Sequence, residues 1–344
     1  MSKRKIQIVK CIMMQKDEDI VLWPWIVYHG YMFGFNNIII LDNGSVKTKV
    51  KNSLEQLEKL GGKVYRQFDT KVDFELKGEI ISNVIKILKR TEKFDFVFVL
   101  DCDEFIGLWK NDKISVDRSE INKYLCSLDK KEEWYRINTC MYNDPSRKGW
   151  YWPQEAKKGF VSSCFDGSID RGFHEFKTQK GGRESNLTHF HYHFKPFLRF
   201  IEHCKEKLSH RLNIENDEEV KNYQGPGVHL IRNMLYNEEN YIKQFNVFIT
   251  VFLPDFCNLM SVLGCESTII GFVSEYNEPN HIRVRKPSEV MECPGIEIIF
   301  DSNQYLEDNF DVNASGTKSI VHYLYCGYNE KNRKVKNIDI SFVE

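Results

Sequence analysis

Residues 94–106 read Phe-Asp-Phe-Val-Phe-Val-Leu-Asp-Cys-Asp-Glu-Phe-Ile, a short apolar run followed by a group of acids. The segment from Phe96 to Leu100 is an unbroken apolar run, rich in β-branched and aromatic side chains. A run this short, without polar alternation, is typical of a strand buried on both faces, as in a parallel sheet. Three acids follow it directly: Asp101, Asp103 and Glu104.

These acids fall where open α/β sheets gather their chemistry, just beyond the carboxyl end of a strand. The pair Asp101 and Asp103, spaced i and i+2, predicts a site for a divalent cation. Hard oxygen ligands suit Mg²⁺ or Mn²⁺, and the cation can also bind a phosphate. An ordinary acidic turn after a strand is the alternative that the spacing leaves open.

The first third of the chain alternates between strand-like and helix-like patterns. Apolar runs predict strands over Ile6–Met14, Asn37–Leu41, Lys63–Arg66 and Phe96–Leu100. Helices are predicted from Pro24 to Phe33, ended by Gly34, from Val46 to Leu60, and over Ile80–Leu88. This alternation predicts an α/β fold, a mostly parallel Rossmann-like sheet flanked by helices.

Three polar turns would share the carboxyl edge of that sheet, at residues 16–19, 42–45 and 101–104. No GxGxxG follows the first strand and no GxxxxGK[ST] occurs, so neither a dinucleotide fingerprint nor a P-loop is expected.

Length and composition are those of an ordinary soluble protein, with 344 residues and 42% hydrophobic side chains. A formal net charge of −1 argues against a general nucleic-acid binder. No apolar segment reaches the roughly 18 uncharged residues of a membrane span, and the N-terminus lacks a signal-like apolar stretch. We therefore expect a cytoplasmic protein with no transmembrane segment, whose ten cysteines are reduced thiols.

Four elements in order carry a family resemblance: Lys16-Asp17-Glu18, Trp25 through His29, Leu41 through Ser45, and Leu100 through Phe105. Together they resemble the GT-A glycosyltransferases, and within them the family 2-like and family 92 (DUF23) branch. That branch carries approximately KNE, a helix ending in Tyr-His before a Gly, a DNxS turn and DxDEF. One departure is Asp17, where the branch often has Asn.

The resemblance implies a nucleotide-sugar donor, UDP-linked in the family, and a Mn²⁺ or Mg²⁺ cofactor. Glu18 would lie near the base or ribose, and Asp42 would contact the uracil or ribose. Asp101 and Asp103 would be the DxD motif that binds metal and diphosphate, with Asp103 the direct metal ligand. From the residues alone, Asp42 could instead cap its own turn and Glu18 could be solvated.

A second group of residues reads Thr188-His189-Phe190-His191-Tyr192-His193-Phe194-Lys195. Strand-like alternation would put the three histidines on one face, where they could form a zinc site by themselves. The resemblance favours another interpretation, in which His191 matches the histidine of an HYxxKS-like motif and completes the metal shell. His189 and His193 are weaker candidates, and Pro196 departs from the motif. An amphipathic helix is predicted after it.

A catalytic base is harder to assign from the sequence. An inverting transfer needs a group that takes the proton of the acceptor hydroxyl. The acids between the DxD and His191 include Asp144 and Asp166, and we favour Asp170 or Glu175. A retaining mechanism would need no such base. The segment from Tyr142 to Phe160 is dense in aromatic and basic side chains, and is interpreted as a sugar-stacking platform or as a loop packed on the sheet.

Two domains are predicted: residues 1–212 as the catalytic, nucleotide-sugar-binding GT-A domain, and residues 213–344 as a helical and β (α+β) extension. Binding of the acceptor, binding of a partner and covering of the sheet edge are the alternatives for this extension. A helix broken near Pro254 is expected over Tyr241–Leu263. Strands are expected over Ile282–Val284, Ile296–Phe300, Ser319–Tyr325 and Ile338–Val343.

The predicted function is metal-dependent transfer of a hexosyl or pentosyl unit to a glycan, glycolipid or glycoprotein acceptor. The alternatives are a nucleotidyltransferase or phosphohydrolase on the same fold, and a non-catalytic carbohydrate-binding protein.

Overall fold

The structure is a computed structural model that describes most of the chain. The described residues are 7–110, 113–145, 147–209, 211–225, 227–235, 237–245, 250–265, 283–285, 290–292, 296–300, 302–315 and 338–342. The strand predicted over Ser319–Tyr325 lies outside them.

Strands and helices alternate over the first hundred residues, strands predominate over residues 104–191, and helices predominate over residues 197–262. The strands are β1 (Val9–Gln15), β2 (Ile38–Asp42), β3 (Lys63–Tyr65), β4 (Phe96–Val99), β5 (Glu104–Lys110), β6 (Lys113–Ser115), β7 (Trp134–Asn143), β8 (Trp150–Ser162), β9 (Ser168–Ile169), β10 (Phe176–Lys177), β11 (Arg183–Glu184), β12 (Leu187–His191), β13 (Val251–Phe252), β14 (Arg283–Arg285), β15 (Val290–Glu292), β16 (Ile296–Phe300) and β17 (Ile338–Phe342). The helices are α1 (Leu22–Phe33), α2 (Thr48–Lys59), α3 (Lys71–Glu75), α4 (Lys77–Thr91), α5 (Arg118–Ser127), α6 (Phe197–Ser209), α7 (Asp217–Asn222), α8 (Val228–Met234), α9 (Glu238–Phe245), α10 (Pro254–Val262), α11 (Ser302–Asp308) and α12 (Phe310–Ser315).

One large mixed sheet organises the molecule, in the order β3-β2-β1-β4-β8-β7-β12-β5-β6, with β11 paired to β7 and β13 to β8. Its first four strands are mutually parallel. The predicted α/β fold with a parallel sheet flanked by helices is therefore confirmed. Beyond β4 the sheet continues through antiparallel pairs and two further parallel pairs, β7 with β12 and β7 with β11.

Apolar side chains cover both faces of the parallel half. Val9, Cys11 and Met13 of β1 pack in one buried cluster with the apolar side chains of α1 and α2. Ile12 and Met14 point to the other cluster, which α4 covers. Burial on both faces explains why these strands show no polar alternation in the sequence.

The three helices predicted in the first third of the chain are present, and their observed ends differ from the predicted ones by up to three residues. Helix α1 ends at Phe33 because Gly34 takes a φ of +96°, which favours glycine, and its N–H donates to the Gly30 carbonyl. The helix predicted after the histidine motif is α6.

The segment 142–160 differs from the expectation of an irregular platform or loop. Most of it forms the end of β7 and the first part of β8, a strand of 13 residues that pairs with both β4 and β7. Pro153 and two lysines interrupt its apolar pattern, and aromatic side chains occupy both faces. The period-2 signal is therefore obscured.

The helix expected over Tyr241–Leu263 is two helices with a short strand between them. Helix α9 ends at Phe245, β13 pairs with β8, and α10 begins at Pro254, which lacks the N–H that a first helical turn leaves unpaired. Phe256 of α10 packs against Phe105 and Tyr28, so this part of the chain contributes to the main core. Of the other late strands, β16 and β17 match the predictions and pair with each other.

Across the ranges that the structure describes, no helix combines the length and apolar character needed to cross a membrane. The cysteines of the same ranges form no disulfide.

Candidate active site

Hydrogen bonds join the turns that follow β1 and β2. The side-chain amide of Gln15 donates to Asp42 Oδ1 (2.8 Å) and to Ser45 Oγ (3.1 Å). Asp17 Oδ1 accepts from the backbone N–H groups of residues 46 and 47, both at 2.8 Å. Asp17 has a φ of +53°, a conformation that Asn and Asp both tolerate, so the departure from Asn fits the turn. Asp42 is buried and helps to shape this turn.

An ion pair joins the end of β1 to the segment after β12. Lys195 Nζ lies 2.9 Å from Glu18 Oε2, and the two side chains are only 6% and 13% exposed. Burial alone would lower the pKa of Lys195, but Glu18, Cys102 and Asp103 together raise it above its ordinary value. The predicted Glu18 turn and the histidine motif therefore meet at one edge of the sheet.

Asp101, directly after the β4 segment, is held by two buried lysines. Its Oδ1 accepts from Lys77 Nζ at 2.9 Å and its Oδ2 from Lys158 Nζ at 2.7 Å. Burial would raise the pKa of Asp101, but Lys158 and Lys77 outweigh it and lower the pKa to about 2. Both lysines also lie over the ring of Phe173, 4.3 and 5.3 Å from its centroid. Two cations thus converge on one carboxylate that is one-third exposed.

Glu104 closes the turn that starts at Asp101. Its Oε2 accepts from the Asp101 backbone N–H at 2.9 Å, and the Asp101 carbonyl accepts from the Glu104 N–H at 3.1 Å. The Glu104 side chain is fully buried, and its Oε1 lies 3.1 Å from Lys158 Nζ. Burial raises the pKa of Glu104 although Lys158 opposes this.

Sheet register brings Asp103 and His191 together. His191, the last residue of β12, lies opposite Glu104 of β5 and opposite Tyr142 of β7. His191 Nε2 is 3.6 Å from Asp103 Oδ1. Burial would lower the pKa of His191, but Asp103 raises it to about 10. Burial would raise the pKa of Asp103, but His191 and Lys195 hold it far below its ordinary range.

His193 completes a group that could hold a metal ion. One ligand atom each from Asp103, His191 and His193 lie within 4.8 Å of one another. Tyr142 stacks on the His191 ring with a centroid distance of 4.7 Å and contacts His193 edge-on. Among the residues the structure describes, the three histidines alone form no such group; His189 instead joins Cys140 and His191.

A divalent cation fits the donor set that Asp103, His191 and His193 present. A carboxylate oxygen with two imidazole nitrogens favours a transition-metal cation such as Mn²⁺ over Mg²⁺.

The two predicted bases lie in the turn between β9 and β10. Asp170 Oδ1 accepts from the N–H groups of His174 (2.6 Å) and Glu175 (2.7 Å), and its Oδ2 from that of Gly172 (2.9 Å). Burial would raise the pKa of Asp170, but these backbone donors lower it. Asp170 therefore shapes the turn that places Phe173 under the two lysines. Glu175 is exposed.

Aromatic side chains do line one side of the site, although they belong to strands. Tyr142 of β7 and Trp152 of β8 have ring centroids 6.0 Å apart, and Trp152 is half-buried. Tyr151, on the opposite face of β8, is buried and its hydroxyl lies 2.9 Å from that of Tyr192. The segment therefore packs on one face through Tyr151 and leaves the rings of Tyr142 and Trp152 half-buried on the other, and sugar stacking stays a prediction.

Sequence reasoning did not single out Lys77, Lys195 or Cys140 as site residues. Lys77 begins α4 and carries no motif. Lys195 stands in the quoted histidine motif and could have been found there. Cys140 lies next to His189 only through the pairing of β7 with β12, which the sequence does not show.

Comparisons with known proteins give weak likenesses. No family model and no curated protein matches the chain. TarS residues 1–349 from S. aureus align over 78% of this chain and 82% of their own, at 12% identity and a TM-score of 0.33. Glucosyl-3-phosphoglycerate synthase from Mycobacterium tuberculosis, in complex with Mn²⁺, UDP-glucose and phosphoglyceric acid, aligns over 40% of this chain and 44% of its own, at 12% identity and a TM-score of 0.25. Mannosyl-3-phosphoglycerate synthase from Rubrobacter xylanophilus aligns over 42% of each chain, again at 12% identity and 0.25.

The alignments span less than half the length of the two synthases. Likenesses at these identities and TM-scores do not test the predicted family 92 branch, which stays a prediction.

Proposed function

We propose that this protein is a metal-dependent glycosyltransferase of GT-A type. It would transfer a sugar from a nucleotide-sugar donor, UDP-linked by the motif resemblance, to a glycan, glycolipid or glycoprotein acceptor. The observation that carries the proposal is the meeting of Asp103 with His191 at the carboxyl edge of the parallel strands, 3.6 Å apart, with two buried lysines beside them.

Charge explains why such a site suits this reaction. A nucleoside diphosphate gains negative charge as the glycosidic bond breaks, and a bound divalent cation stabilises that charge. Asp103, His191 and His193 would hold the cation. Both oxygens of Asp101 accept from lysines, so we assign Asp101 to positioning Lys77 and Lys158, whose ammonium groups would face the diphosphate oxygens.

The donor's nucleoside would lie along the turns after β1 and β2. The side chains of Asp42 and Ser45 accept hydrogen bonds from Gln15 there, so a ribose or base would meet polar groups that are already fixed in place. Glu18, fixed by Lys195, would contact the ribose. Preformed polar groups of this kind fix the orientation of a ligand and reject analogues that lack its hydroxyls.

For an inverting reaction we assign the base to Glu175 rather than Asp170. The Asp170 carboxylate accepts from three backbone N–H groups, which holds its pKa low and its oxygens in place. Glu175 is exposed and follows the same turn. The accessible rings of Tyr142 and Trp152 are our candidates for stacking on the acceptor sugar.

We also propose that residues 213–344 contribute to acceptor binding, and that the protein acts in the cytoplasm. Helix α10 of this part already packs on the core beside Phe105, close in sequence to the acidic turn.

The function is tested by incubating the protein with UDP-, GDP- and CMP-linked sugars, each with and without Mn²⁺, and measuring nucleotide release and sugar transfer. We expect metal-dependent release of the nucleoside diphosphate with one donor. Turnover of nucleoside triphosphates or release of phosphate without sugar transfer would favour a nucleotidyltransferase or phosphohydrolase. Sugar binding that is indifferent to chelator and to Asp103→Ala would favour a carbohydrate-binding protein.

A further inference from the structure

A second group of potential metal ligands shares His191 with the proposed cation site. Cys140 Sγ and one ring nitrogen each from His189 and His191 lie within 4.8 Å of one another. Cys140 and His189 are partners across the parallel pair β7 and β12, and their side chains are only 2% and 1% exposed. These ligands are softer than those of Asp103 and His193, because one of them is a thiol.

The two ring nitrogens of His189 have different surroundings. Its Nε2 faces the buried carboxylate of Glu104, 3.5 Å from Oε1. Its Nδ1 is buried and, within the described part of the chain, has no hydrogen-bond partner. Metal-binding histidines commonly direct their second ring nitrogen to a carboxylate, which fixes the ring and its tautomer. An unpartnered buried nitrogen otherwise lowers stability, because it gives up its hydrogen bonds to water on folding.

We propose that Cys140, His189 and His191 form a second metal site, selective for a soft divalent cation such as Zn²⁺. A thiolate and two imidazoles are ligands that Zn²⁺ prefers, and three protein ligands leave its fourth position to water. Binding would form a bond from Cys140 Sγ to the metal and release the thiol proton to solvent.

Both groups use His191, and a neutral imidazole has one unprotonated nitrogen to offer a metal, so one ion excludes the other. Zn²⁺ at Cys140 and His189 would remove a ligand from the Mn²⁺ position on Asp103, so Zn²⁺ would inhibit the Mn²⁺-dependent reaction. This consequence rests on the proposed function, whereas the second site does not.

Anaerobic titration with Co²⁺, a spectroscopic substitute for Zn²⁺, tests the site without any nucleotide. We expect a thiolate-to-cobalt charge-transfer band in the near ultraviolet that saturates at one equivalent and disappears when Zn²⁺ is added. The band should be lost in Cys140→Ser and kept in Cys102→Ser, which removes the half-buried thiol of the acidic turn. A wild-type protein without the band, or a Cys140→Ser variant that keeps it, would overturn the proposal.

X-ray absorption of the zinc-loaded wild-type protein gives an answer that does not depend on a variant's folding. We expect one sulfur at about 2.3 Å together with imidazole nitrogens. A shell of nitrogen and oxygen alone, or of several sulfurs, would contradict the site. A protein that shows the sulfur but never binds a nucleotide would retain the zinc site and lose the proposed function.

Discussion

His191 Nε2 lies 3.6 Å from Asp103 Oδ1, although the two residues come from different parts of the chain. Asp103 stands in the turn between β4 and β5, and His191 ends β12, which pairs with β5 in antiparallel register. The same register puts the Asp103 carbonyl 2.8 Å from the Tyr192 N–H. The contact is therefore fixed by backbone pairing and does not depend on long, mobile side chains.

Tyr142 should support metal binding through its stacking on the His191 ring. Such ring pairs contribute about 0.5–1.5 kcal/mol, so Tyr142→Ala should weaken Mn²⁺ affinity by about 2- to 10-fold. Tyr142→Phe keeps the ring and should bind Mn²⁺ as the wild type does. Equilibrium titration of Mn²⁺ followed by electron paramagnetic resonance measures both variants. Equal weakening in the two would show that the hydroxyl, and not the stacked ring, matters.

Lys158 should be essential for stability, because it is 6% exposed and pairs with both Asp101 and Glu104. Lys158→Met leaves the buried Glu104 carboxylate without its lysine and leaves Asp101 with Lys77 alone, and should lower the free energy of unfolding by about 3 kcal/mol. Adding Glu104→Gln to it should recover part of that loss. Lys157→Met, at the exposed neighbouring position, is the matched control and should change stability little. Urea unfolding of the four proteins checks this, and equal stability of both lysine variants would contradict it.

Gly78 should be required where α4 passes the turn that holds Asp170. A Cβ atom at Gly78 would overlap the carbonyl oxygens of Ile169 and Asp170, whereas one at Gly181 meets nothing within 4 Å. Gly78→Ala should therefore cost about 1–3 kcal/mol of unfolding free energy, and Gly181→Ala should be close to neutral. Denaturant unfolding of the two variants side by side is the measurement. A neutral Gly78→Ala would mean that this contact is looser than described.

The alternation of apolar runs and helical patterns in the first third of the sequence was enough to predict the parallel half of the sheet and the edge where its acids gather. Continuous apolar runs such as Phe96–Leu100 and glycine stops such as Gly34 each have a local cause, so single-sequence reasoning could find them. Strand β8 could not be found in this way, because lysines such as Lys158 interrupt its apolar pattern. Lys158 is buried only because it pairs with Asp101 and Glu104, which lie far from it in the sequence. The same holds for Cys140 beside His189, since strand pairing across long loops leaves no local signal.

Stability should fall in mild acid because of His29. This ring is fully buried in α1, and its Nδ1 lies 3.0 Å from the Trp25 carbonyl oxygen. Burial lowers the pKa of His29 to about 3, although the hydrogen bond with Trp25 opposes the shift. The folded pKa lies below the unfolded value of about 6.5, so the contribution is complete above that pH and is lost as the pH falls toward 3.

Between pH 7 and pH 5 this one group should remove about 2 kcal/mol of stability. His29→Leu should flatten that dependence, whereas the exposed His174→Gln should retain it. Urea unfolding at a series of pH values compares the slopes directly. Identical slopes for the wild type and His29→Leu would refute the assignment.

Calorimetric titration of UDP into the protein, with and without Mn²⁺, tests the central claim most directly. The wild type and the exposed control Asp129→Asn should bind UDP only when Mn²⁺ is present. Asp103→Asn should retain the fold and lose that binding by on the order of 100-fold or more, because a ligand of the bridging cation is gone. Normal Mn²⁺-dependent UDP binding by Asp103→Asn would contradict the account.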